Sequence, residues 1–539
     1  MSSPLNMPEF VTLFTAEKKV VFPAENKVAV DDVCIELAPG EGGLKVNVTA
    51  DQTPVTLIRL RWQKTFPDDA LFLGDAWERS YGDLQWRGYE ASRYMPWYFL
   101  MHCCGVTCGA GVKVRGGAMA MWTADEAGIT LWLDLRCGNQ GVILNGRCVE
   151  AAEVVSAEYS GISAFAAARE FCKMMCSDPI GPARPVYGGN NWYYAYGKSS
   201  HDEILADARA IAELCDGLEN RPFMVIDDGW QINRKNPGPA GPWTTGNESF
   251  PDMAKLTSEM RQYGVRPGIW FRPLWNCDPA IPEEWRLPER NFPGLRCLDP
   301  SVAGVLEYIR EDIRRIAGWG FELIKHDFST YDMFQIWGMQ VQDWLVQKSW
   351  CDARWTFADR GRTNAEIVKG LYGAIREAAG DTLILGCNTI GHLGAGLMHL
   401  ARIGDDTSGR EWERSCKMGV NTLAFRLCQH KTFFDADADC VGVTETISMK
   451  ENMQWAELLG KSGTPLFASI KPGVLSAAEK EAMKCFFALS SEQKNIAEPL
   501  DWMRSATPSH WRLDEEEVHF DWFEDAGANP DFAELNFLK

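Results

Sequence analysis

The pattern of apolar residues divides the chain into parts with different predicted structure. Up to about residue 180, short β-rich runs bounded by Gly, Asp or Asn follow one another, and strong helical periodicity is absent. Examples of these runs are VTLIRLRWQ, GVKVRGGAMAMWT, GITLWLDLRCG and QGVILNG. Runs of this kind are typical of a β-sandwich. We therefore predict an N-terminal β-sandwich over residues 1–180.

From about residue 184, strand-like apolar runs alternate with segments in which apolar residues recur every three or four positions. The predicted helices include HDEILADARAIAELC, VAGVLEYIREDIRRIAGWG and TNAEIVKGLYGAIREAAG. The predicted strand segments are 186–197, 222–231, 265–275, 321–329, 382–389, 401–408, 431–440 and 464–472. Eight strands that alternate with helices predict a (β/α)8 TIM barrel, placed here at 181–485.

A doubly wound open sheet is the alternative arrangement of these elements. It would place a glycine-rich phosphate-binding turn after its first strand, and GGNNWYYAYG is not such a turn. After the barrel, HWRLDEEEVHFDWFED returns to short strands. The sequence thus predicts a multidomain protein whose last part, 486–539, is a small C-terminal β-domain.

Residues that can bind a substrate, most of them charged, lie at the ends of the predicted barrel strands. They are Asp227, Asp228, Trp270, Lys325, Asp327, Cys387, Arg402, Asp405, Asp406, Asp435, Asp437 and Asp439. The carboxyl ends of barrel strands converge on one face, which is where active sites form. Because side chains alternate along a strand, Lys325 and Asp327 share one side, and we expect the lysine to keep that aspartate ionised.

Composition and charge narrow the classes of function. A net charge of −20 argues against nucleic acid or an anionic membrane as a partner, and no apolar run is long enough to span a bilayer. The start, MSSPLNMPEFVTLF, does not resemble a signal peptide, so the 17 cysteines are predicted to be reduced thiols in the cytoplasm. With no HExxH and no pair of CxxC motifs, a structural or protease-type zinc site is not expected, and we expect neither a metal nor a cofactor. Carboxylates, a lysine, an arginine and tryptophans at the strand ends suit a small-molecule carbohydrate substrate.

Five motifs occur in order on consecutive predicted strands: DDGWQ, GIWFRP, LDPS…GFELIKHDF, GCNTIGHLGAGLMHLARIGDDT and ADADC. Together they resemble the α-galactosidase-like glycoside hydrolases of family 36, in the clan shared with family 27. The resemblance covers residues 186–472 and agrees with the order sandwich, barrel, small β-domain. One departure lies in ADADC, where Ala436 and Ala438 replace the Asn and Pro of the family's Asn-Asp-Pro-Asp turn.

The resemblance implies a retaining exo-α-glycosidase, most closely an α-galactosidase that uses a two-aspartate double displacement. Asp327 is then the nucleophile and Asp406 the acid/base. The implied substrate-binding residues are Asp227, Asp228, Trp192, Tyr193, Trp270, Lys325, Cys387 and Arg402. Members of the family commonly assemble, so a homo-oligomer is expected.

Alternatives stay open at this point. Within the class they are an α-N-acetylgalactosaminidase, another α-glycosidase and a transglycosylase of the raffinose-synthase kind. Outside it they are a non-catalytic carbohydrate-binding relative and a metal-dependent sugar isomerase. The motif also leaves Asp405 as a second candidate for the acid/base.

Several residues have two interpretations. His326 is expected to point away from the pocket as a hydrogen-bonded histidine, and Asp435, Asp437 and Asp439 are expected to support the pocket or bind a hard cation. Trp86 and Trp97 belong either to the sandwich core or to a loop over the barrel mouth. The segment 329–362 is predicted to shape the leaving-group side, to form a subunit contact or to pack on the sandwich.

Overall fold

Two antiparallel sheets form the N-terminal part of the protein. The structure is a computed structural model that describes residues 5–40, 42–233, 240–290, 294, 296–338, 354–523 and 527. One sheet has the spatial order Lys19–Pro23, Phe10–Thr15, Val55–Gln63, Gly128–Asp134, Met119–Asp125 and Met95–Pro96. The other has the order Lys27–Val30, Val33–Pro39, Gly43–Thr49, Cys148–Ser160, Val106–Val112, Tyr98–Cys103 and Leu71–Gly74. A ribbon of Arg136–Cys137 and Gln140–Gly141 contacts the strand Val55–Gln63.

The two sheets pack face to face because alternate residues of their strands are apolar. Along Gly43–Thr49 every second side chain is buried, as expected for a strand with one face on a core. Trp122 of one sheet joins the sheets, since its ring centroid lies 5.5 Å from that of Phe99 in the other. The predicted sandwich is therefore confirmed.

One helix of the N-terminal part was not predicted. Ala164–Met175 follows the last long strand, and the Ser163 side chain caps it by accepting from the N–H of Ala166. Its Phe171 packs against Gly109, where a Cβ atom would lie 2.6 Å from the ring. Its apolar residues recur with clear helical spacing, but the helix is short and stands in a region dominated by strand signals, and so it was overlooked.

Parallel strands form the central barrel, and each of the eight predicted segments contains one. Most of these strands are shorter than predicted, and Trp192–Ala195 of the first segment is helical. In chain order the strands are Tyr187–Asn190, Phe223–Ile226, Arg266–Phe271, Leu323–His326, Leu383–Gly386, Leu400–Arg402, Asp435–Asp437 continued by Cys440–Val443, and Leu466–Ile470. The seventh strand is broken at Asp439, whose φ is 73°. Its first half pairs with the sixth strand and its second half with the eighth, so this broken strand closes the ring.

Helices surround the barrel strands. The long ones are His201–Leu214, Met253–Gln262, Ala303–Gly318, Asn364–Ala379, Met449–Ser462 and Ala477–Ser491. Short helices and helical turns span Trp192–Ala195, Glu283–Trp285, Ser329–Phe334, Gly391–Gly394, Trp412–Ser415, Cys416–Asn421, Thr422–Arg426 and Leu427–Gln429. A capping box of Thr363 and Glu366 fixes the start of Asn364–Ala379. None of the helices in the described ranges is long and apolar enough to cross a membrane.

The end of the described chain is a three-stranded antiparallel sheet. It consists of Glu498–Pro499, His510–Leu513 and Glu516–His519. The fold is therefore the predicted sandwich, TIM barrel and small C-terminal β-unit. The limits 1–180, 181–485 and 486–539 stay predictions, and the helix Ala477–Ser491 runs across position 485.

Buried contacts join the sandwich to the barrel. Asp75 of the sandwich pairs with Arg426 at 2.9 Å, and both side chains are almost completely buried. The Asp75 carboxylate also accepts a hydrogen bond from Gln429. Trp97 stacks on His392 of the barrel with ring centroids 4.8 Å apart. The sandwich thus sits on the barrel through charged and aromatic contacts that exclude water.

We expect Asp75→Ala to lower the free energy of unfolding by about 3–5 kcal/mol, because it leaves the buried Arg426 charge without its carboxylate. The matched control is Glu445→Ala, which breaks the exposed pair with Lys471 and is expected to cost less than about 1 kcal/mol. Urea unfolding followed by tryptophan fluorescence measures both. Equal effects of the two substitutions would contradict the buried pair.

His326 of the fourth strand faces the helix Asn364–Ala379, away from the barrel interior. Its ring centroid lies 5.7 Å from that of Tyr372, and neither ring nitrogen has a hydrogen-bond partner among the described residues. The prediction that it points outward holds, but the prediction that it is hydrogen-bonded is wrong. Burial lowers the pKa of His326 to about 4, so the imidazole is neutral at pH 7.

The free energy of unfolding should therefore depend on pH in part through the protonation of His326. The unfolded chain binds the proton below about pH 6.5, whereas the folded protein binds it only near pH 4. The contribution of neutral His326 to the free energy of unfolding is complete above pH 6.5. It falls by up to ~1.4 kcal/mol per pH unit as the pH drops toward 4. Burial also lowers the pKa values of His392, His399 and His430, so we expect His326→Gln to reduce the slope in urea unfolding between pH 4.5 and 7 without removing it, and the exposed His519→Gln to leave it unchanged. An unchanged slope in His326→Gln would refute the assignment.

Candidate active site

A cavity of about 410 Å³ opens at the carboxyl ends of the barrel strands. It is lined by Arg79, Tyr81, Trp192, Asp227, Asp228, Trp270, Lys325, Asp327, Phe328, Trp337, Asp405 and Asp406. Its volume lies within the ~300–1,000 Å³ typical of small-ligand sites. The predicted site residues that it brings together are Trp192, Asp227, Asp228, Trp270, Lys325, Asp327 and Asp406.

Lys325 and Asp227 form the ion pair at the floor of this cavity. The lysine Nζ lies 2.7 Å from Oδ2 of Asp227, and both side chains are largely buried. The same oxygen accepts a hydrogen bond from Asn190. Burial alone would lower the pKa of Lys325, but Asp227 outweighs it and holds that pKa well above its ordinary value. The ion-pair partner of Lys325 is thus Asp227, whereas the charge of Asp327 acts on the lysine more weakly, and the expectation that Lys325 keeps Asp327 ionised stays a prediction.

Asp327 is held by N–H donors. Its Oδ2 accepts from the indole N–H of Trp270 at 2.9 Å. Its Oδ1 accepts from the backbone N–H groups of Phe328 and Asn388 at 2.7 and 3.2 Å. Hydrogen bonds of this kind stabilise the ionised carboxylate and fix its orientation. Within the described chain no lysine or arginine forms an ion pair with it.

Asp406 lies among cations instead. Its Oδ1 is 2.8 Å from Nη2 of Arg402, and its side chain is 39% exposed, more than any partner that holds it. Burial alone would raise the pKa of Asp406, but the surrounding cations outweigh it and hold that pKa below its ordinary value. In order of effect these cations are Arg402, Arg79, Lys325 and Arg414.

The neighbouring Asp405 is more tightly fixed than Asp406. One of its oxygens lies 3.1 Å from Arg79 and the other 2.9 Å from Arg414. Its backbone N–H donates to the carbonyl of Ser80. Two arginines therefore occupy both oxygens of Asp405, whereas the ion pairs of Asp406 with described residues are on Oδ1 alone.

Three predicted substrate contacts lie behind the cavity wall. The Tyr193 hydroxyl donates to Asp439, so this tyrosine supports the wall and does not line the cavity. Arg402 is buried and joins Asp406 to Asp439, at 2.8 and 2.7 Å. The Cys387 sulfur accepts from Arg402, and burial raises the pKa of its thiol well above the ordinary value. Of the three, only Arg402 contacts a residue of the cavity wall, Asp406, and the predicted contacts of all three with substrate stay predictions.

Sequence reasoning named none of four further residues of the cavity wall, although one of them, Trp337, belongs to the segment 329–362 that was predicted to shape the leaving-group side. Phe328 and Trp337 follow the fourth strand, whereas Arg79 and Tyr81 come from the sandwich. The available signal was loop length, because most of residues 75–94 form no strand or helix and long irregular loops are commonly functional. Trp86 and Trp97, which were considered for this role, are buried against Trp502 and His392 instead.

The acids at 435–439 do not act together. Asp439 pairs with Arg402 and accepts from the N–H and hydroxyl of Thr407. Asp437 accepts from the N–H of Asp439, whereas Asp435 lines a cavity at the opposite mouth of the barrel. Of the three acids, only Asp437 and Asp439 support the site.

The one group in the described residues whose ligand atoms could share a metal ion is Asp69, Cys103 and Cys104, on the sandwich.

The segment 329–362 contributes at both of its described ends. Trp337 lines the cavity, and its ring stacks on Tyr331 with centroids 4.4 Å apart. The Trp355 N–H donates to the side-chain oxygen of Asn139 in the sandwich, and the Trp355 carbonyl accepts from the Asn139 N–H, which fits the predicted packing on that unit. Residues 339–353 lie outside the described residues.

Comparison with known proteins gives matches among solved structures only. No family model and no curated protein matches the chain. The α-galactosidase TtGalA from Thermus thermophilus, in complex with p-nitrophenyl α-D-galactopyranoside, has a TM-score of 0.61 at 19% identity, covering 95% of this chain and 98% of that chain. The GH36 α-galactosidase AgaB from Geobacillus stearothermophilus has a TM-score of 0.55 at 16% identity, covering 85% and 66%. The galactosidase domain of the α-galactosidase–sucrose kinase AgaSK has a TM-score of 0.56 at 16% identity, covering 89% and 66%.

These likenesses extend over the sandwich and the barrel. They agree with the motifs DDGWQ, GIWFRP and GFELIKHDF, which stand at the strand ends that line the cavity. The chain has the fold of the family 36 α-galactosidases.

Proposed function

We propose that the protein is a retaining exo-α-glycosidase that releases terminal α-linked galactose. The observation that carries the proposal is the pair Asp327 and Asp406 in one cavity, with one carboxylate held by N–H donors and the other by cations. Different environments of two carboxyls are what separate a nucleophile from an acid/base. The similar Thermus α-galactosidase is itself seen with p-nitrophenyl α-D-galactopyranoside and with stachyose, which supports this substrate class.

In the first step Asp327 attacks the anomeric carbon as the bond to the aglycone oxygen breaks. The Trp270 indole and two backbone N–H groups hold the carboxylate in a fixed orientation for this attack. Asp406, in its protonated form, gives its proton to the departing oxygen. The products of this step are the free aglycone and a glycosyl ester on Asp327.

In the second step Asp406 is again a carboxylate and takes a proton from water. That water attacks the anomeric carbon, the ester bond to Asp327 breaks, and the sugar leaves with its original configuration. The ionised state of Asp406 that its neighbouring cations favour is the state needed for this step. Asp405 does not fill this role, because arginines hold both of its oxygens.

The sugar is recognised at the cavity floor. Asp227 and Asp228 accept hydrogen bonds from the 4- and 6-hydroxyls, and Lys325 donates to the 3- or 4-hydroxyl. The Lys325–Asp227 pair fixes a donor beside an acceptor, which suits adjacent hydroxyl groups. Trp192 and Trp270 cover the apolar face of the ring.

We also propose a cytoplasmic location and a homo-oligomeric assembly. Each of the 16 cysteines in the described residues is a free thiol, which supports a reducing compartment. Assembly rests on the family resemblance alone, and sedimentation would decide it.

The first test is a panel of 4-nitrophenyl α-glycosides of galactose, N-acetylgalactosamine, glucose and xylose, with β-galactose as control. We expect turnover of the α-galactoside and a loss of at least about 10⁴-fold in Asp327→Ala, because the covalent step is removed. Glu445→Gln, a substitution of an exposed residue, should match the wild type. Proton NMR of the first product should show α-galactose before mutarotation.

The other outcomes of this panel are equally informative. Preference for N-acetylgalactosamine would make the protein an α-N-acetylgalactosaminidase. Larger oligosaccharides formed from stachyose would make it a transglycosylase. Binding of galactose without turnover of any glycoside would identify a carbohydrate-binding relative and refute the proposed activity.

A second test separates the two neighbouring aspartates. In Asp406→Ala, we expect kcat/KM to fall about 10²–10⁴-fold for methyl α-galactoside but far less for 2,4-dinitrophenyl α-galactoside, which needs no proton. Added azide should restore turnover of the activated substrate and form an α-galactosyl azide. Asp405→Ala should show neither the leaving-group dependence nor the azide effect. The reverse pattern would make Asp405 the acid/base.

A further inference from the structure

The N-terminal sandwich places one cation beside both aspartates of the sixth-strand motif. Arg79 lies 3.1 Å from Asp405 and 3.7 Å from Asp406, and only 6% of its side chain is exposed. We propose that Arg79 is a positioning residue for the acid/base, so that the sandwich is part of the catalytic apparatus. The proposal rests on the proposed glycosidase function, in which Asp406 exchanges the proton.

Arg79 is fixed in place by its neighbours along the chain. The carboxylate of Glu78 is fully buried and accepts from the Tyr81 hydroxyl, from the N–H of Gly338 and from the Asn388 side chain. Ser80 forms a β-bridge with Gly404, two residues before Asp406. The backbone on both sides of Arg79 is thus attached to the barrel, which places its side chain next to the sixth-strand segment that carries Asp405 and Asp406.

Glu78 is also linked, through Asn388, to the nucleophile Asp327. The Asn388 residue whose amide donates to Glu78 has its backbone N–H on Oδ1 of Asp327. The two consecutive residues Glu78 and Arg79 therefore contact the surroundings of the nucleophile and of the acid/base respectively. A single short stretch of the sandwich sets the relative position of the two carboxylates.

The charge of Arg79 bears on the protonation of Asp406. The other ionisable groups that face Asp406 are Arg402 and Asp405 of the sixth-strand segment, Lys325 of the fourth strand, Arg414 of the following helix, and Tyr193 and Tyr196 after the first strand. Burial opposes ionisation of Asp406, and Arg79 is second among the cations that favour it. Removing this cation makes the carboxyl hold its proton to higher pH.

Arg79 also borders the space that a leaving group would occupy. Its guanidinium lies 6.0 Å from the ring centroid of Tyr81 and 5.9 Å from that of Trp337, and all three side chains line the cavity. The departing oxygen must lie near the acid/base, so these residues stand on the aglycone side. Their rings hold the planar guanidinium by cation–π contact.

The test compares Arg79→Gln, which removes the charge, with Arg79→Lys, which keeps it. We expect the fall of kcat/KM at high pH, which reports deprotonation of the general acid, to move to higher pH in Arg79→Gln. Arg79→Lys should remain near the wild-type profile, with kcat lowered less than in Arg79→Gln. Arg410→Gln is the control, since Arg410 is a nearby cation that stacks on Tyr196. Equal loss at every pH in both Arg79 variants would overturn the proposal.

A measurement without turnover separates this proposal from the proposed function. Thermal unfolding at pH 7 of the wild type, Arg79→Gln, Asp406→Asn and the double variant gives their coupling. We expect the fall in Tm caused by Arg79→Gln to be clearly smaller when Asp406 is Asn. Additive changes would overturn the role of Arg79 even in an active enzyme. Coupling in a protein that hydrolyses no glycoside would support the contact and refute only the activity.

Discussion

Each carboxylate buried at the mouth of the barrel must be held by a cation or by N–H donors, and this constraint organises the site. Taking an ion out of water costs several kcal/mol unless a partner replaces the lost hydration. Asp227 has Lys325, and Asp439 has Arg402. The partners come from different strands, so each pair also fixes the distance between two strand ends. The barrel mouth is therefore a network in which no single charged residue is independent.

The same constraint gives the two central aspartates opposite surroundings. Asp327 is bound by an indole and two backbone N–H groups, which orient it without a contacting cation among the described residues. A carboxylate oriented in this way is available to attack carbon. Asp406 is more exposed and lies against Arg402, so the balance between burial and nearby cations decides whether it carries a proton. Environment, and not residue type, assigns the proposed roles.

The strand ends could be predicted from the sequence because each barrel strand carries its own signal. In GFELIKHDF, for example, the apolar run is followed directly by its polar residues. Lys325, Asp327 and Phe328 at the end of this stretch line the cavity. Alternation along a strand shows that Lys325 faces inward but not which carboxylate it meets, and the partner proved to be Asp227. The contact between Glu78 and Asn388 joins residues 310 positions apart, so no local pattern could reveal it.

The loop that carries Glu78 and Arg79 changes how the sandwich is understood. A unit that only covered the barrel would need apolar contacts, as Trp97 makes with His392. This unit in addition buries a carboxylate and a guanidinium within the barrel mouth, at a desolvation cost that covering alone does not require. Without Arg79, Asp405 would keep only Arg414, and Asp406 would lose one of its cations. The charge balance of the site is therefore complete only when the sandwich and the barrel are folded together.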